Sequence, residues 1–242
     1  MYQDEYIEVY DLVMRNRGRD YAGEARAILG LVDERNPGAA SLLDVACGTG
    51  LHLRELAAPF AEVHGLDVSE DMLALAKRRI EGLRCHQADM RRVRLPVRFD
   101  VIVCMFAIPH LRSGPELDAT VAGLAAQLAP GGLLIIEPWY RPEQFVPGYV
   151  ARDVVEVDGH TVVRLSHSRW LDRRANRIRM VVHHALADAD HGIRHATDEV
   201  DLTLFTDEQY RHAFAAAGCT AERFTGAPFT WGLWLAQRRE TR

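Results

Sequence analysis

The sequence predicts an α/β protein built on a doubly wound parallel sheet. Apolar runs of strand length alternate with amphipathic helical segments between residues 40 and 138, the rhythm of strand–helix–strand units. Leu42 to Val45 passes through Gly48-Thr49-Gly50 into a helical segment led by Leu51, Leu53 and Leu56. Glycine in such a loop lets main chain approach a ligand, and the amides at the helix start offer donors. At 242 residues the chain can bury one substantial core, or a core carrying a large insertion.

Composition narrows the class. The formal charge of -5, from 29 Lys plus Arg against 34 Asp plus Glu, argues against a nucleic-acid polymer as partner. No apolar run approaches the roughly 20 residues of a membrane span. Met1-Tyr2-Gln3-Asp4-Glu5 is acidic where a signal peptide would be basic. Cys47, Cys85, Cys104 and Cys219 form no C-x-x-C pair, so neither a zinc site nor a disulfide framework is implied, and a reducing cytoplasm is expected.

In chain order, residues 1 to 36 carry two helical patterns, Tyr6, Val9, Tyr10 and Val13, then Ala25, Ile28, Leu29 and Val32. The polar joint between them, Arg15 to Tyr21, is either a solvated turn or a lid whose Arg17 and Tyr21 fold over a ligand. Val63 to Asp67 is a second strand ending in an acid, seventeen residues beyond Gly50, a spacing at which a carboxylate takes both ribose hydroxyls of a nucleoside. Ser69 caps the next helix. Arg84 to Gln87 is the third strand; Asp89 beyond it could accept from an adenine amino group while Met90 packs on the ring. Phe99 to Phe106 is nearly all apolar and therefore central. His110 follows at the mouth of the site, where it either serves as a base or packs. A helix from about Pro115 to Leu128, a turn at Ala129 to Gly132 and a fifth strand from Leu133 to Glu137 complete the parallel set.

From Trp139 to Phe205 the period changes to two. Val150–Val157, Thr161–Arg169, Ile178–Ala187 and Ala196–Phe205 are expected as antiparallel strands, with a hairpin turn at Asp158-Gly159. This inserted sheet is a substrate cap, a dimer contact or both. His183-His184 in an alternating strand points one ring to each face and makes no metal site by adjacency, and no metal is expected. Asp207 to Ala217 returns to helix, and Cys219–Phe224 and Trp231–Gln237 close the sheet. Three segments follow: residues 1–138 as helical lid plus cofactor core, 139–205 as inserted sheet, and 206–242 as completion of the core.

The glycine loop lacks the third glycine of a dinucleotide fingerprint, since Leu53 stands there. Asp44-Val-Ala-Cys-Gly-Thr-Gly50, Asp67, Ala88-Asp89-Met90 and Leu128-Ala-Pro-Gly-Gly132 together resemble the class I S-adenosylmethionine-dependent methyltransferases, over about residues 40 to 138. The resemblance implies a seven-stranded Rossmann-like sheet with its last strand antiparallel, and S-adenosylmethionine across the strand ends. Ala46, Gly48 and Gly50 would face the methionine end, Asp67 the ribose, and Asp89 with Met90 the adenine; Tyr21 and Met105 join this cofactor-binding set. An amine acceptor must arrive unprotonated or lose its proton, and His110 is the candidate base. Met105-Phe106-Ala107-Ile108 stands where nucleic-acid amine methyltransferases place Asp or Asn with Pro-Pro and an aromatic.

A closer resemblance covers nearly the whole chain. Tyr10-Asp-Leu12, Arg17-Gly-Arg-Asp-Tyr21, the glycine loop, Ser69-Glu-Asp-Met-Leu73, Glu137-Pro-Trp139, Ser166-His-Ser168 and Gly192-Ile-Arg-His195 through Leu204-Phe205 are similar to the N,N-dimethyltransferases of dTDP-amino-deoxysugars of the desosamine and mycaminose type. That resemblance implies a homodimeric enzyme of antibiotic sugar biosynthesis. Arg17, Ser166, Ser168 and Arg169 could then meet the diphosphate, and Trp139 and Tyr140 could stack on thymine or sugar, or else pack in a core. Met14 and the Ala107-Ile108-Pro109-His110 segment depart from the macrolide-sugar pattern near the acceptor, which implies a different aminosugar. An O- or C-methyltransferase of another metabolite and a non-catalytic S-adenosylmethionine-binding protein are the alternatives.

Overall fold

The computed structural model describes residues 4–16 and 18–238. It divides into two compact units, Asp20–Arg141 with Phe205–Arg242, and Met1–Arg19 with Pro142–Leu204.

The larger unit holds β1 (Ser41–Val45), β2 (Glu62–Asp67), β3 (Arg84–Gln87), β4 (Phe99–Met105), β5 (Leu128–Glu137), β10 (Cys219–Gly226) and β11 (Phe229–Arg238), in the order β10-β11-β5-β4-β1-β2-β3. β1 pairs in parallel with β2 and β4, β2 with β3 and β4 with β5, while β11 runs antiparallel to β5 and β10. The expected seven-stranded sheet with an antiparallel last strand is therefore present. The order in which strands are added reverses between β1 and β4, which run parallel, and the crevice beyond their carboxyl ends is where open α/β sheets bind ligands.

Alternation along these strands divides the core into two layers. Leu43, Ile102, Leu134 and Trp234 face one side; Leu42, Val101, Leu133 and Leu233 face the other. The helices α2 (Tyr21–Arg35), α3 (Leu51–Leu56), α4 (Glu70–Arg79), α5 (Gly114–Ala126) and α6 (Asp207–Ala216) cover these faces with their apolar sides. Ser69 accepts the Met72 amide at the start of α4, and Thr206 with Gln209 forms a capping box on α6. The turn expected at Ala129–Gly132 lies inside β5, as a bulge where the register with β4 shifts between Phe99 and Val101. A Cβ on Gly132 would stand 3.0 Å from the carbonyl oxygens of Ala129 and Phe99.

The smaller unit is an antiparallel meander of β6 (Val150–Val157), β7 (His160–Asp172), β8 (Arg177–Asp188) and β9 (Gly192–Thr203). Asp158 and Gly159 turn the first hairpin with φ of 51° and 79°, the left-handed pair a tight two-residue turn needs. One face is buried through Val162, Ile178, Val182 and Leu202. Helix α1 (Asp4–Asn16) lays Val9 and Val13 against Val155 and Val162. The first helix, expected with the cofactor core, thus packs on the inserted sheet, because its apolar stripe finds the matching valines there.

Two buried histidine arrangements give stability a pH dependence. His64 Nδ1 and His86 Nε2 lie 2.8 Å apart on β2 and β3, a bond that needs one ring to donate and the other to accept. Burial lowers both pKa values; His86 and Arg84 add to the effect on His64, and Arg84 to that on His86. In the smaller unit, burial and the Arg164 guanidinium push His184 down to about 4. A histidine with a depressed folded pKa binds its proton more readily unfolded, so its contribution is complete above the unfolded value and fades as pH falls below it. Thermal midpoints are expected to drop from pH 7 toward pH 5, and less steeply in His86→Gln. Equal slopes for the two proteins would remove the pair from the account.

Candidate active site

The carboxyl ends of the parallel strands bring together residues from distant parts of the chain. After β1 the backbone turns left-handed at Ala46 (φ 58°), and after β4 it does so again at Phe106 (φ 60°). Non-glycine residues pay of order 1–2 kcal/mol for that conformation and keep it where a site demands it. Gly50 (φ 79°) leads into α3, and a Cβ there would stand 3.1 Å from Ala76 of α4 and from Ile80, the residue that ends it.

Asp67 is the hub of this edge. Its Oδ2 accepts the Gly48 amide at 2.9 Å and its Oδ1 the Ser69 amide at 2.9 Å. A carboxylate has about four acceptor positions. Two remain, the number a ribose diol requires. Asp89 is more heavily engaged: it accepts the Arg91 amide at 2.9 Å and is gripped by the Arg91 guanidinium. That contact holds its pKa below the ordinary carboxylate value and leaves little more than one acceptor position, enough for one exocyclic amine N–H. Met90 begins the 3-10 turn Met90–Arg92 and lies half-buried against the core. Met105, at the end of β4, is buried and paired in register with Glu137.

Several groups here escape a reading of the sequence by itself. Asp44 on β1 is 2% exposed, and burial, followed by the Asp67 charge, pushes its pKa well above the carboxylate range. His52 Nε2 bonds the buried Glu24 carboxylate at 2.7 Å, and the His52 ring stands edge-on to Tyr21 at 4.7 Å. Glu137, 1% exposed, brings a carboxylate oxygen to the same place, the three donor atoms lying within 4.8 Å of one another. Tyr21 heads α2, whose cap Asp20 accepts the Gly23 amide. The first turn of α2, the start of α3 and the end of β5 are therefore tied at one point. Cys47 sits inside the glycine loop, but burial drives its thiol far up, so it offers no competing thiolate nucleophile.

His110 ends the 3-10 turn Ile108–His110 and is exposed, while Ala107 and Ile108 beneath it are buried. Trp139 and Tyr140 leave β5 as a ring pair with centroids 4.7 Å apart.

The remaining expected substrate residues lie in the smaller unit. Met14 is half-buried on α1, and Arg17 lies outside the described residues. Ser166 points to the buried face of β7, with Arg164 and His184 also buried. Ser168 shares that face by alternation, whereas Arg169 projects from the opposite, exposed face. Arg169 stands across from Arg179, and Asp201, which Arg179 bonds at 2.7 and 3.0 Å, feels the charge of both. Of the residues expected at one diphosphate, Ser166 and Ser168 therefore lie on one face of this sheet and Arg169 on the other.

Comparison with known proteins is consistent across the chain. A family model described as a methyltransferase domain matches residues 42–132. The dTDP-3-amino-3,6-dideoxy-alpha-D-glucopyranose N,N-dimethyltransferase of Streptomyces fradiae is 48% identical over 233 residues, covering 96% of this chain and 90% of that protein. The dTDP-4-amino-2,3,4,6-tetradeoxy-D-glucose N,N-dimethyltransferase of Saccharopolyspora spinosa is 40% identical, with coverage of 98% and 94%. Among solved structures, S-adenosylmethionine-bound CalS10, an amino pentose methyltransferase from Micromonospora echinaspora involved in calicheamicin biosynthesis, superposes with a TM-score of 0.86 at 42% identity, covering 96% of this chain and 97% of that one.

Proposed function

The chain belongs to the dTDP-aminosugar N,N-dimethyltransferases and transfers methyl groups from S-adenosylmethionine to the amine of a dTDP-linked amino-deoxysugar; on that premise we propose how its residues divide the work. The cofactor, when bound, supplies a methyl group already activated on a sulfonium. What the protein must add is placement, exclusion of water and an outlet for the amine proton.

The residues at the strand ends fit this cofactor. Asp67, with two acceptor positions left beside Gly48 and Ser69, takes the ribose, and Asp89 with Met90 takes the adenine. Asp44, buried beneath the glycine loop, is suited to an ammonium group, whose charge would offset the cost of ionising that carboxyl. Ala46, Gly48 and Gly50 face the methionine end. Tyr21, braced by the His52–Glu24 pair, closes the same end from α2, and Met105 lines it from β4. His110, carried on a turn with a buried base, accepts the proton from the sugar amine. Trp139 and Tyr140 are the candidates for the nucleotide sugar in the larger unit; Met14, Ser166, Ser168 and Arg169, expected from the sequence as further substrate residues, belong to the smaller unit, and Arg17 lies outside the described residues. Ser166 and Ser168 share the buried face of β7, which makes them the better pair for a phosphate oxygen.

The observation that carries this reading is the Asp67 hub, which joins the glycine loop to α4 while keeping room for a diol. An assay with S-adenosylmethionine and dTDP-aminosugars differing in amine position tests it, following product mass in steps of one methyl. Gain of two methyl groups on one member is expected. No gain on any member, with S-adenosylmethionine bound, would overturn the substrate.

The smaller unit supports a homodimer. Its outer face exposes Val150, Val154, Leu165 and Ile193 at 45–69%, a cross-strand apolar patch of the kind that marks interfaces. Sedimentation of the full chain is expected to give twice 27.2 kDa, and Val154→Lys with Leu165→Glu to halve it. A monomeric native protein would refute this. Among the described residues, no helix is long and apolar enough to cross a membrane. The four cysteines are free thiols.

A further inference from the structure

Trp139, Tyr140 and Trp231 belong to neither layer of the core. They pack on one another instead. The Trp139 and Tyr140 centroids are 4.7 Å apart, and those of Tyr140 and Trp231 are 4.0 Å apart at 45°. Trp139 and Tyr140 follow the carboxyl end of β5. Trp231 lies near the start of β11, whose Trp234 is in register with Ile136, so antiparallel pairing returns Trp231 to the same end of β5. All three rings are half-buried. Trp234, three residues further on, shows what a packing tryptophan looks like in this fold: it is 1% exposed and lies against Tyr210 and Phe214 in the core.

Charge flanks the rings. Arg223 donates from Nη2 to the Trp231 carbonyl at 3.0 Å, and Arg223 and Arg141 each approach Asp207 at 3.4 Å. Two guanidiniums thus stand beside the rings, both reaching the one carboxylate of Asp207. Flat half-exposed rings beside positive charge fit a planar base that carries phosphates.

We propose that Trp231, within this aromatic trio, is the surface on which the thymine of the nucleotide sugar stacks, and that Arg223 is a positioning residue that fixes the Trp231 backbone. The inference rests on the nucleotide-sugar reading above and adds to it a residue and an element, β11, that lie far from the methyltransferase signature. A pyrimidine offers a π-face to any aromatic ring, and stacking on one is a sequence-tolerant contact whose loss costs about five- to a hundredfold in affinity.

The test uses the full-length protein and dTDP alone as probe. Calorimetric titration of dTDP, and of S-adenosylhomocysteine as control, is run on the native protein, Trp231→Ala, Trp231→Phe and Arg223→Gln, beside turnover of a dTDP-aminosugar. In Trp231→Ala we expect dTDP to bind five- to a hundredfold more weakly and the sugar KM to rise in step. Turnover at saturation and S-adenosylhomocysteine affinity should hold. Trp231→Phe should recover most of the loss, and Arg223→Gln should weaken dTDP to a smaller extent. Unchanged dTDP affinity in a folded Trp231→Ala overturns the inference while native turnover leaves the enzyme assignment standing. Equal loss of dTDP and S-adenosylhomocysteine binding, or loss of the dimer, reassigns the trio to packing or to an interface. A native protein that neither binds dTDP nor methylates a dTDP-aminosugar removes both readings.

Discussion

Replacing His110 with alanine is expected to lower turnover by about a hundredfold to ten-thousandfold, the range a positioned base contributes. S-adenosylmethionine affinity should be unchanged. The geometry separates these effects. Ala107 and Ile108 are buried and hold the turn after β4, while His110 is its exposed end, so truncating the ring removes a proton acceptor without opening a cavity. The loss should shrink as pH rises from 7 toward 9 and more of the amine arrives unprotonated. A variant with native turnover across that range would reduce His110 to a surface residue.

Asp67→Ala should act on the cofactor. Asp67 lends one oxygen to the Gly48 amide and the other to the Ser69 amide. The substitution therefore removes the proposed ribose acceptor and also releases the loop from the start of α4. Each bond to a charged group is worth about 1.5–3 kcal/mol, and a combined loss of about 2–4 kcal/mol corresponds to roughly 30- to 1,000-fold weaker S-adenosylmethionine binding. Asp67→Asn, which keeps one acceptor and loses the charge, should fall between. Calorimetric titration reads both. A folded Asp67→Ala that binds the cofactor with native affinity would place the ribose elsewhere.

The order of strands and helices was legible because the central strands β1 and β4 are mostly apolar runs and helices such as α4 open on a side-chain cap, there Ser69. The position of Asp67 at the end of β2 was legible from its spacing, since the strand-to-strand interval in this fold is nearly constant; its role at the cofactor is the proposal made above. Groups that meet only through the fold could not. Glu24, His52 and Glu137 come from α2, α3 and β5, and no sequence interval announces their meeting. Asp44 was visible within the glycine motif, but its isolation depends on burial by both neighbouring strands. The bulge in β5 was mistaken for a preceding turn because Gly131 and Gly132 carry the same residue signal in either setting. Arg169 was grouped with Ser166 and Ser168 by proximity along the chain, although strand alternation sends it to the other face. Trp231, 26 residues beyond the Leu204-Phe205 motif, was legible only as the start of a closing strand.

The pairing of α1 with the inserted sheet also sets an order of assembly. Val13 is made before its partners Val155 and Val162, which follow roughly 140 residues later, a delay on the order of 10 seconds at ordinary elongation rates. A helix of 13 residues is marginal by itself in water. Helix α1 is therefore fixed only after β6 and β7, made later, have paired, and a nascent chain halted before residue 150 holds the whole glycine-loop region with α1 still unplaced.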